Sequence, residues 1–277
     1  MTLTGEFFRW EAGLLVSNAD LLEEVKLAAA DSWLVENGRV RSLEAHYQRF
    51  ADWALPQAPA ISNTIEAFFE AVTAALPRTG RWFPRIELHI EGCDKDKLPT
   101  LYLRLREAPE QLHDIKLFTY PEADPRLKPT VKGPDLSLCM QLRRHAQMHA
   151  ADETVLTDSK GFITEGALTS IVWFRNGVLE APDHQTAWIQ SITRSEIFEI
   201  AKQVGIETRE VHAKPADLAG CEVWALSSLQ GIRPVTSWLN SEGQNLIELA
   251  KPVHFESFSK RLRLLAAPLD KESHLTR

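Results

Sequence analysis

Cysteine is scarce in this chain and basic charge is not in excess, and both shortages narrow what it can be. Only Cys93, Cys139 and Cys221 occur in 277 residues. An odd number at wide spacing matches no zinc or disulfide framework and suits a reducing cytoplasm. Lysine and arginine total 31 against 38 acidic residues, a formal charge of −7. That balance argues against general polyanion binding, nucleic acid included, so a phosphate would be held locally rather than by a basic field. There is no run of about eighteen apolar residues, and the opening stretch lacks a basic segment followed by an apolar core. No membrane span or secretory leader is therefore expected. A Walker loop, Gly-x-Gly-x-x-Gly and Gly-x-Ser-x-Gly are all missing, which removes the usual support for a nucleotide or serine-hydrolase reading. His145 and His149 are spaced i,i+4, but no glutamate follows His145 and the sequence offers no third ligand. No metal site is expected.

What is present is an ordinary globular composition, 44% apolar and 25% charged, on a chain long enough for two domains. The most informative stretch is 156–182, where short apolar runs alternate with glycine-containing turns. A tight turn at 158–161, strands at 162–164 and 171–174, and an Asn176-Gly177 hairpin turn are expected there. Glu165-Gly166 sits between the strands, a lone carboxylate beside a residue that permits close backbone approach. Upstream, Lys132 stands in Val131-Lys132-Gly133-Pro134, where Pro134 is expected to open a helix with an apolar stripe of Leu138, Leu142, Ala146 and Ala150. The proline-rich, mixed-charge run 120–129 reads as a linker.

Trp33-Leu34-Val35 reads as a strand entering a hairpin turn. Ser42 is expected to cap a helix carrying Leu43, Tyr47, Phe50 and Ala54. Arg49 lies on that helix, either on a solvated face or as an anion clamp. A second amphipathic helix, marked by Ile65, Phe68, Phe69, Val72 and Leu76, stops at Pro77. Strands are expected over 83–90 and 101–105, the latter turning Leu101, Leu103 and Leu105 to one face and Tyr102, Arg104 and Arg106 to the other. Thr193-Arg194-Ser195-Glu196 reads as a capping box, and the helix it opens is expected to end at Gly205. Such an N-terminus either is simply capped or offers free amides to a phosphate. Strands over 207–212 and 222–227, a packed helix around Phe255, Phe258, Leu262 and Leu265, and a frayed last ten residues complete the reading.

Five short motifs then fall into an order that resembles the class-IV aminotransferase family, which includes branched-chain and D-amino acid aminotransferases and aminodeoxychorismate lyase. They are Ala45-His46-Tyr47-Gln48-Arg49-Phe50, the Lys132 segment, Glu165-Gly166, Ser191-Ile192-Thr193-Arg194, and Ser227-Ser228-Leu229-Gln230-Gly231-Ile232-Arg233-Pro234-Val235. The resemblance covers roughly residues 30–236. It implies pyridoxal 5'-phosphate as cofactor, with Lys132 forming the Schiff base and moving the substrate's α-proton, and Glu165 facing the pyridine nitrogen. It further implies that Arg49, the Ile192 and Thr193 amides and Ser228 bind the cofactor phosphate. Arg85 in Phe83-Pro84-Arg85, Ser32 and the Leu229 amide become substrate-side candidates. Departures are visible: Pro134-Asp135-Leu136 offers no tyrosine after the lysine, Ser170 stands where asparagine is common, Ser191 replaces a glycine, and Asp31-Ser32 lacks Phe-Glu-Gly. They leave the cofactor reading in place and the substrate class open.

The fold implied is two-domain α/β: a small N-terminal domain over 1–121, a linker over 122–129 and a larger barrel-like cofactor-binding domain over 130–277. The resemblance implies a homodimer acting on an amino acid and a 2-oxo acid, and the composition implies a cytoplasmic one. A lyase on the same cofactor, with Ser32 as its hydroxyl, and a catalytically silent binding protein of the same fold are the alternatives.

Overall fold

The computed structural model describes residues 5–18, 26–91, 98–183, 185–240 and 242–269, and divides into two compact units. The first comprises Met1–Pro109, Val131–Pro134 and Arg263–Arg277. Its elements begin with strands β1 (Glu6–Glu11), β2 (Leu14–Ser17), β3 (Lys26–Ser32), β4 (Val35–Glu36) and β5 (Arg39–Val40). Helices α1 (Leu43–Ala54) and α2 (Ile65–Ala75) follow, then β6 (Arg81–Trp82), β7 (Arg85–Glu91) and β8 (Leu98–Leu105). An antiparallel sheet runs β2-β1-β8-β7-β3, which leaves β3 on an edge. Leu101, Leu103 and Leu105 bury one face against Phe50, Phe68 and Val72 from the two helices, as their alternation requires. The opposite face is not simply solvated: Tyr102 is buried there, stacked on Phe7 with ring centroids 4.8 Å apart.

Local signals explain most boundaries in this unit. Asn37 and Gly38 take φ 49° and 68°, turning β4 into β5 as a primed hairpin turn demands. Trp33 lies between β3 and β4 rather than opening a strand, buried edge-on to Tyr47. Ser42 does occupy the N-cap of α1, but in the left-handed region and without a side-chain cap bond. After α2, Leu76 is extended because Pro77 disfavours a helical predecessor.

The second unit comprises Glu110–Thr130 and Asp135–Leu262. It holds β9 (Ile115–Thr119), α3 (Leu136–Met148), β10 (Glu153–Thr157), β11 (Ile163–Gly166), β12 (Ser170–Arg175) and β13 (Val178–Pro182). Then come α4 (Ile192–Gln203), β14 (Thr208–Val211), β15 (Glu222–Ser227), β16 (Gly231–Leu239) and α5 (Phe255–Leu264); β17 (Ala267–Pro268) belongs to the first unit and pairs there with β5. The eight-stranded sheet runs β11-β10-β9-β16-β15-β12-β13-β14, with β9 parallel to both neighbours and β13 parallel to β14. Along β12, Ile171 and Trp173 enter one apolar cluster, while Val172 and Phe174 enter another formed with α4 and α5. Burial on both faces is why this strand reads as one continuous apolar run.

Several expectations shift here. Ser191, not Thr193, caps α4: its hydroxyl accepts the Arg194 amide at 3.2 Å, so the helix starts earlier and Thr193 lies inside the first turn. Paired bonds from Gly205 to Lys202 and from Ile206 to Ala201 close the other end as a Schellman motif. Pro134 precedes α3 instead of opening it; Asp135 holds the N-cap position and its carboxylate accepts the Lys128 amide at 2.7 Å. The 120–129 run, expected to be a linker, falls within the second unit and contains Arg126, a buried side chain fixed by two carboxylates. His145 and His149 pack on Phe118, the latter stacked at 4.5 Å. Among the described residues no cluster suited to a metal occurs, and no helix is long and apolar enough to cross a membrane. Cys93 and the chain end from residue 270, most of the stretch expected to fray, lie outside the described residues.

Candidate active site

Lys132 is fixed from its backbone outward. As an edge strand, β3 has unpaired groups available, and the Ala30 amide donates to the Lys132 carbonyl at 2.7 Å. Gly133 then passes so close that an added Cβ would stand 2.9 Å from Ala29 Cα, and its φ of +139° is itself foreign to other residues. The buried Ala28-Ala29-Ala30 run, with a register shift between Leu27 and Ala29, makes room for this approach. Burial of the Lys132 amine pulls its pKa down to about 8; Asp31 opposes the shift, and Arg49, Arg85 and Arg106 add to it.

Asp31, at the end of β3, organises the charges beside the lysine. It is fully buried and receives a two-pronged Arg49 fork, Nε to Oδ2 and Nη2 to Oδ1, both at 2.7 Å. His46 Nδ1 lies 2.9 Å from Oδ1, and the Ser32 amide donates to the same oxygen at 2.6 Å. Burial alone would raise the carboxyl, but Arg49 and His46 hold it well below the usual range. Arg49 and His46 share one face of α1 at i and i+3, so the helix delivers both together. Arg49 is thus a buried, oriented guanidinium and not a solvated one.

Arg85 faces Ser32 across β3 and β7. Its Nε donates at 2.6 Å to Glu87, which also receives Arg104 at 3.0 Å and lies 2.5 Å from His89 Nε2. Burial would raise Glu87, but His89, Arg85 and Arg104 pull it down to about 2. Arg106 donates to the Phe83 carbonyl at 2.8 Å, and burial together with Arg85 and Arg104 draws its pKa down to about 10. Three guanidiniums around one carboxylate leave this sheet face strongly cationic.

In the second unit the centre is Glu165 on β11, beside a β-bulge at Leu156/Thr157. Its Oε1 accepts both Arg126 Nη1 at 2.6 Å and the Ile189 amide at 3.0 Å, and among the described residues nothing donates to Oε2. Burial pushes its pKa up to about 7, with Arg126 and the Ile189 amide resisting and Asp124 adding to the rise. Gly166 allows this crowding, since a Cβ there would stand 2.2 Å from Thr169 Oγ1. Three residues after Ile189, α4 begins, with Thr193 buried in its first turn. At the helix start the Ile192 and Thr193 amides precede the first residue that can bond within the helix. Arg194 ties that end to β13 and β14 through the Pro182 carbonyl and Glu210, and Trp188 covers its guanidinium at 4.0 Å. Ser228 and Leu229 lie in the turn joining β15 to β16, where the Gln230 amide donates to Ser227 Oγ at 3.1 Å.

The sequence over residues 28–238 matches a known family model, Amino-transferase class IV. The chain belongs to the class-IV aminotransferases. Within that family it is 31% identical over 134 residues to the branched-chain-amino-acid aminotransferase of Escherichia coli strain K12, an alignment covering 47% of this chain and 43% of the relative. It therefore spans less than half the length of that curated relative. A longer match, 23% identical over 257 residues, covers 83% of the chain and 87% of the bifunctional aminodeoxychorismate lyase / D-amino acid transaminase of Mycobacterium tuberculosis. Among solved structures, the branched-chain aminotransferase of Thermoproteus uzoniensis with norvaline superposes at TM-score 0.80 and 17% identity, covering 96% of this chain and all of that one. A hypothetical aminotransferase from Mycobacterium tuberculosis in its PLP-bound form gives 0.72 at 20% identity, covering 94% and 98%. These likenesses establish the two-domain α/β fold of fold type IV enzymes.

In this member of the class-IV family, the structure places Lys132, Arg49, Ser32 and Arg85 in the first unit, and Glu165, Ile192 and Thr193 in the second. Sequence reasoning missed Asp31, Glu87, Arg104, Arg106, Asp124 and Arg126 as site-shaping groups. Asp31 had one visible signal, a charged residue directly after the apolar run 27–30. Arg126 had none that pointed to the site, because Glu165 lies 39 residues away from it.

Proposed function

We propose that this protein transfers an amino group between an amino acid and a 2-oxo acid, using pyridoxal 5'-phosphate carried on Lys132. The observation that carries the reading is the Lys132 amine, brought down to about 8 in surroundings built by β3 and Arg49. A pKa there leaves about a tenth of the amine neutral at pH 7, against well under a hundredth at its ordinary value, and the neutral form is what attacks a carbonyl carbon and accepts a proton. The residues fit the cofactor in the second unit as well, where Glu165 Oε2 lacks a donor among the described residues. When bound, the cofactor supplies an electron sink for charge developing at the substrate's α-carbon. Lys132 Nζ takes the α-proton and returns it. Glu165 keeps the ring nitrogen protonated, while Arg49, the Ile192 and Thr193 amides and the Ser228 hydroxyl hold the phosphate. Asp31 aims Arg49 through its fork. Ser32, Arg85 and the Leu229 amide are assigned to the substrate side, where the cationic Arg85–Arg104–Arg106 face suits a carboxylate. A cytoplasmic homodimer is part of the same reading.

The long match to a relative named for both aminodeoxychorismate lyase and D-amino acid transaminase favours a second reading, a lyase on the same cofactor. One experiment serves both. Borohydride treatment of the cofactor-loaded protein should leave a stable adduct on Lys132, located by peptide mass, and Lys132→Ala should lose it with nearly all turnover. Amino donors scanned against pyruvate and 2-oxoglutarate, with aminodeoxychorismate in parallel, separate transaminase from lyase. An adduct on Lys128 or Lys160 would displace the assignment; a folded protein with no adduct in excess cofactor would leave the catalytically silent reading.

A further inference from the structure

Glu165 is not held by its strand alone. Arg126, from the run between β9 and α3, reaches it with Nη1 and commits its other donors to Asp124: Nε to both carboxylate oxygens at 3.0 Å and Nη2 to Oδ2 at 2.6 Å. The Arg126 amide donates to Asp124 Oδ1 as well, at 3.0 Å, so the loop is locked to its own side chain. Arg126 is buried, and keeping a rotamer-rich guanidinium in one pose at such a site requires partners on several sides. The outcome is asymmetric: two donors converge on Glu165 Oε1, and none reaches Oε2.

We propose that Arg126, clamped by Asp124, is a positioning residue that keeps Glu165 ionised and turns its Oε2 toward the protonated ring nitrogen of the cofactor. This rests on the proposed function and adds to it a residue pair outside all five motifs. The chemistry is a shared proton. A carboxylate in an apolar surround competes with a pyridine nitrogen for that proton, and a guanidinium on the carboxylate's other oxygen tips the balance toward the nitrogen. The charged and titratable neighbours acting on this site are Arg126, Asp124, Arg194 and the Cys139 thiol. Of these, Arg126 alone donates to Glu165.

The test uses the full chain loaded with cofactor carrying ¹⁵N in the ring, comparing wild type, Arg126→Met and Arg126→Lys. In the wild type the ring nitrogen should resonate as a protonated pyridinium. In Arg126→Met it should move toward the neutral position at the same pH, while kcat falls roughly ten- to a hundredfold, the worth of one charge-assisted bond, with little change in KM. Arg126→Lys should restore much of both. A folded Arg126→Met that keeps the pyridinium signal overturns the inference, because lost stability alone would not move a ring-nitrogen shift. Should Arg126→Met fail to fold, Asp124→Asn, which loosens the clamp without removing the cation, is read by the same shift, and an unmoved signal again refutes the proposal. Absence of the Lys132 adduct in the wild type instead removes the proposed function itself, so the two failures are distinguishable.

Discussion

Lys132→Met should make the cofactor-free protein more stable at neutral pH, although it destroys the function proposed for the residue. Methionine approximates the lysine stem in shape and removes the charge. The Lys132 pKa falls from 10.5 to about 8 on folding, mainly through burial. At about 1.4 kcal/mol per unit, that places the cost of the half-buried ammonium at no more than about 3–4 kcal/mol. The sign follows from proton counts. The unfolded chain holds the proton more tightly than the folded one, so the penalty is complete below about pH 8 and fades toward pH 10.5. Urea unfolding of both proteins at pH 7 and pH 10.5 measures it. The variant should gain on the order of 3 kcal/mol at the lower pH, and most of that gain should vanish at the higher one. A gain equal at both values would assign it to methionine packing, and no gain would refute the account of how this amine is perturbed.

Asp31→Asn leaves buried Arg49 without its fork partner and should cost about 3–5 kcal/mol at pH 7 by urea unfolding. Because the folded Asp31 pKa is depressed, its contribution is present above the unfolded carboxylate range and lost as pH falls below it; the variant should lack that acid-side loss. Gly133→Ala puts a Cβ 2.9 Å from Ala29 Cα at a positive φ, so it should destabilise by about 1–3 kcal/mol in thermal melts. It should also lower the borohydride yield at Lys132, since the segment must lift from β3; unchanged yield would show that the lysine does not depend on that docking.

What the sequence disclosed depended on how local each cause was. Asn176-Gly177 and Asn37-Gly38 announce their hairpins because two adjacent positive-φ residues suffice. The α2 stripe and the Gly205 stop were legible for the same reason. The start of α4 was misplaced because Ser191 and Thr193 are both competent caps, and only the folded chain decides which hydroxyl meets an amide. The carboxylate gathered on the cationic face of β7 and β8 was not legible, because alternation reports which face is apolar, not what covers the other. Arg126 was hidden by composition: three prolines and mixed charge describe a linker equally well whether or not one arginine turns inward.

Lys132 and Glu165 are perturbed in opposite senses, each by groups of its own unit. Burial lowers the amine to about 8 and raises the carboxyl to about 7. The lysine's penalty is complete below pH 8, whereas the glutamate's grows from its unfolded pKa near 4.5 and is complete above about pH 7. Between those limits both groups are held in the form their surroundings oppose, so the protein is least helped by these two residues near neutrality. Core residues chosen for stability would not combine in this way, and strained ionisable groups of this kind concentrate at functional sites. Under the proposed function the cofactor would relieve each penalty in its own unit, taking up the amine covalently at Lys132 and presenting a cation to the Glu165 carboxylate.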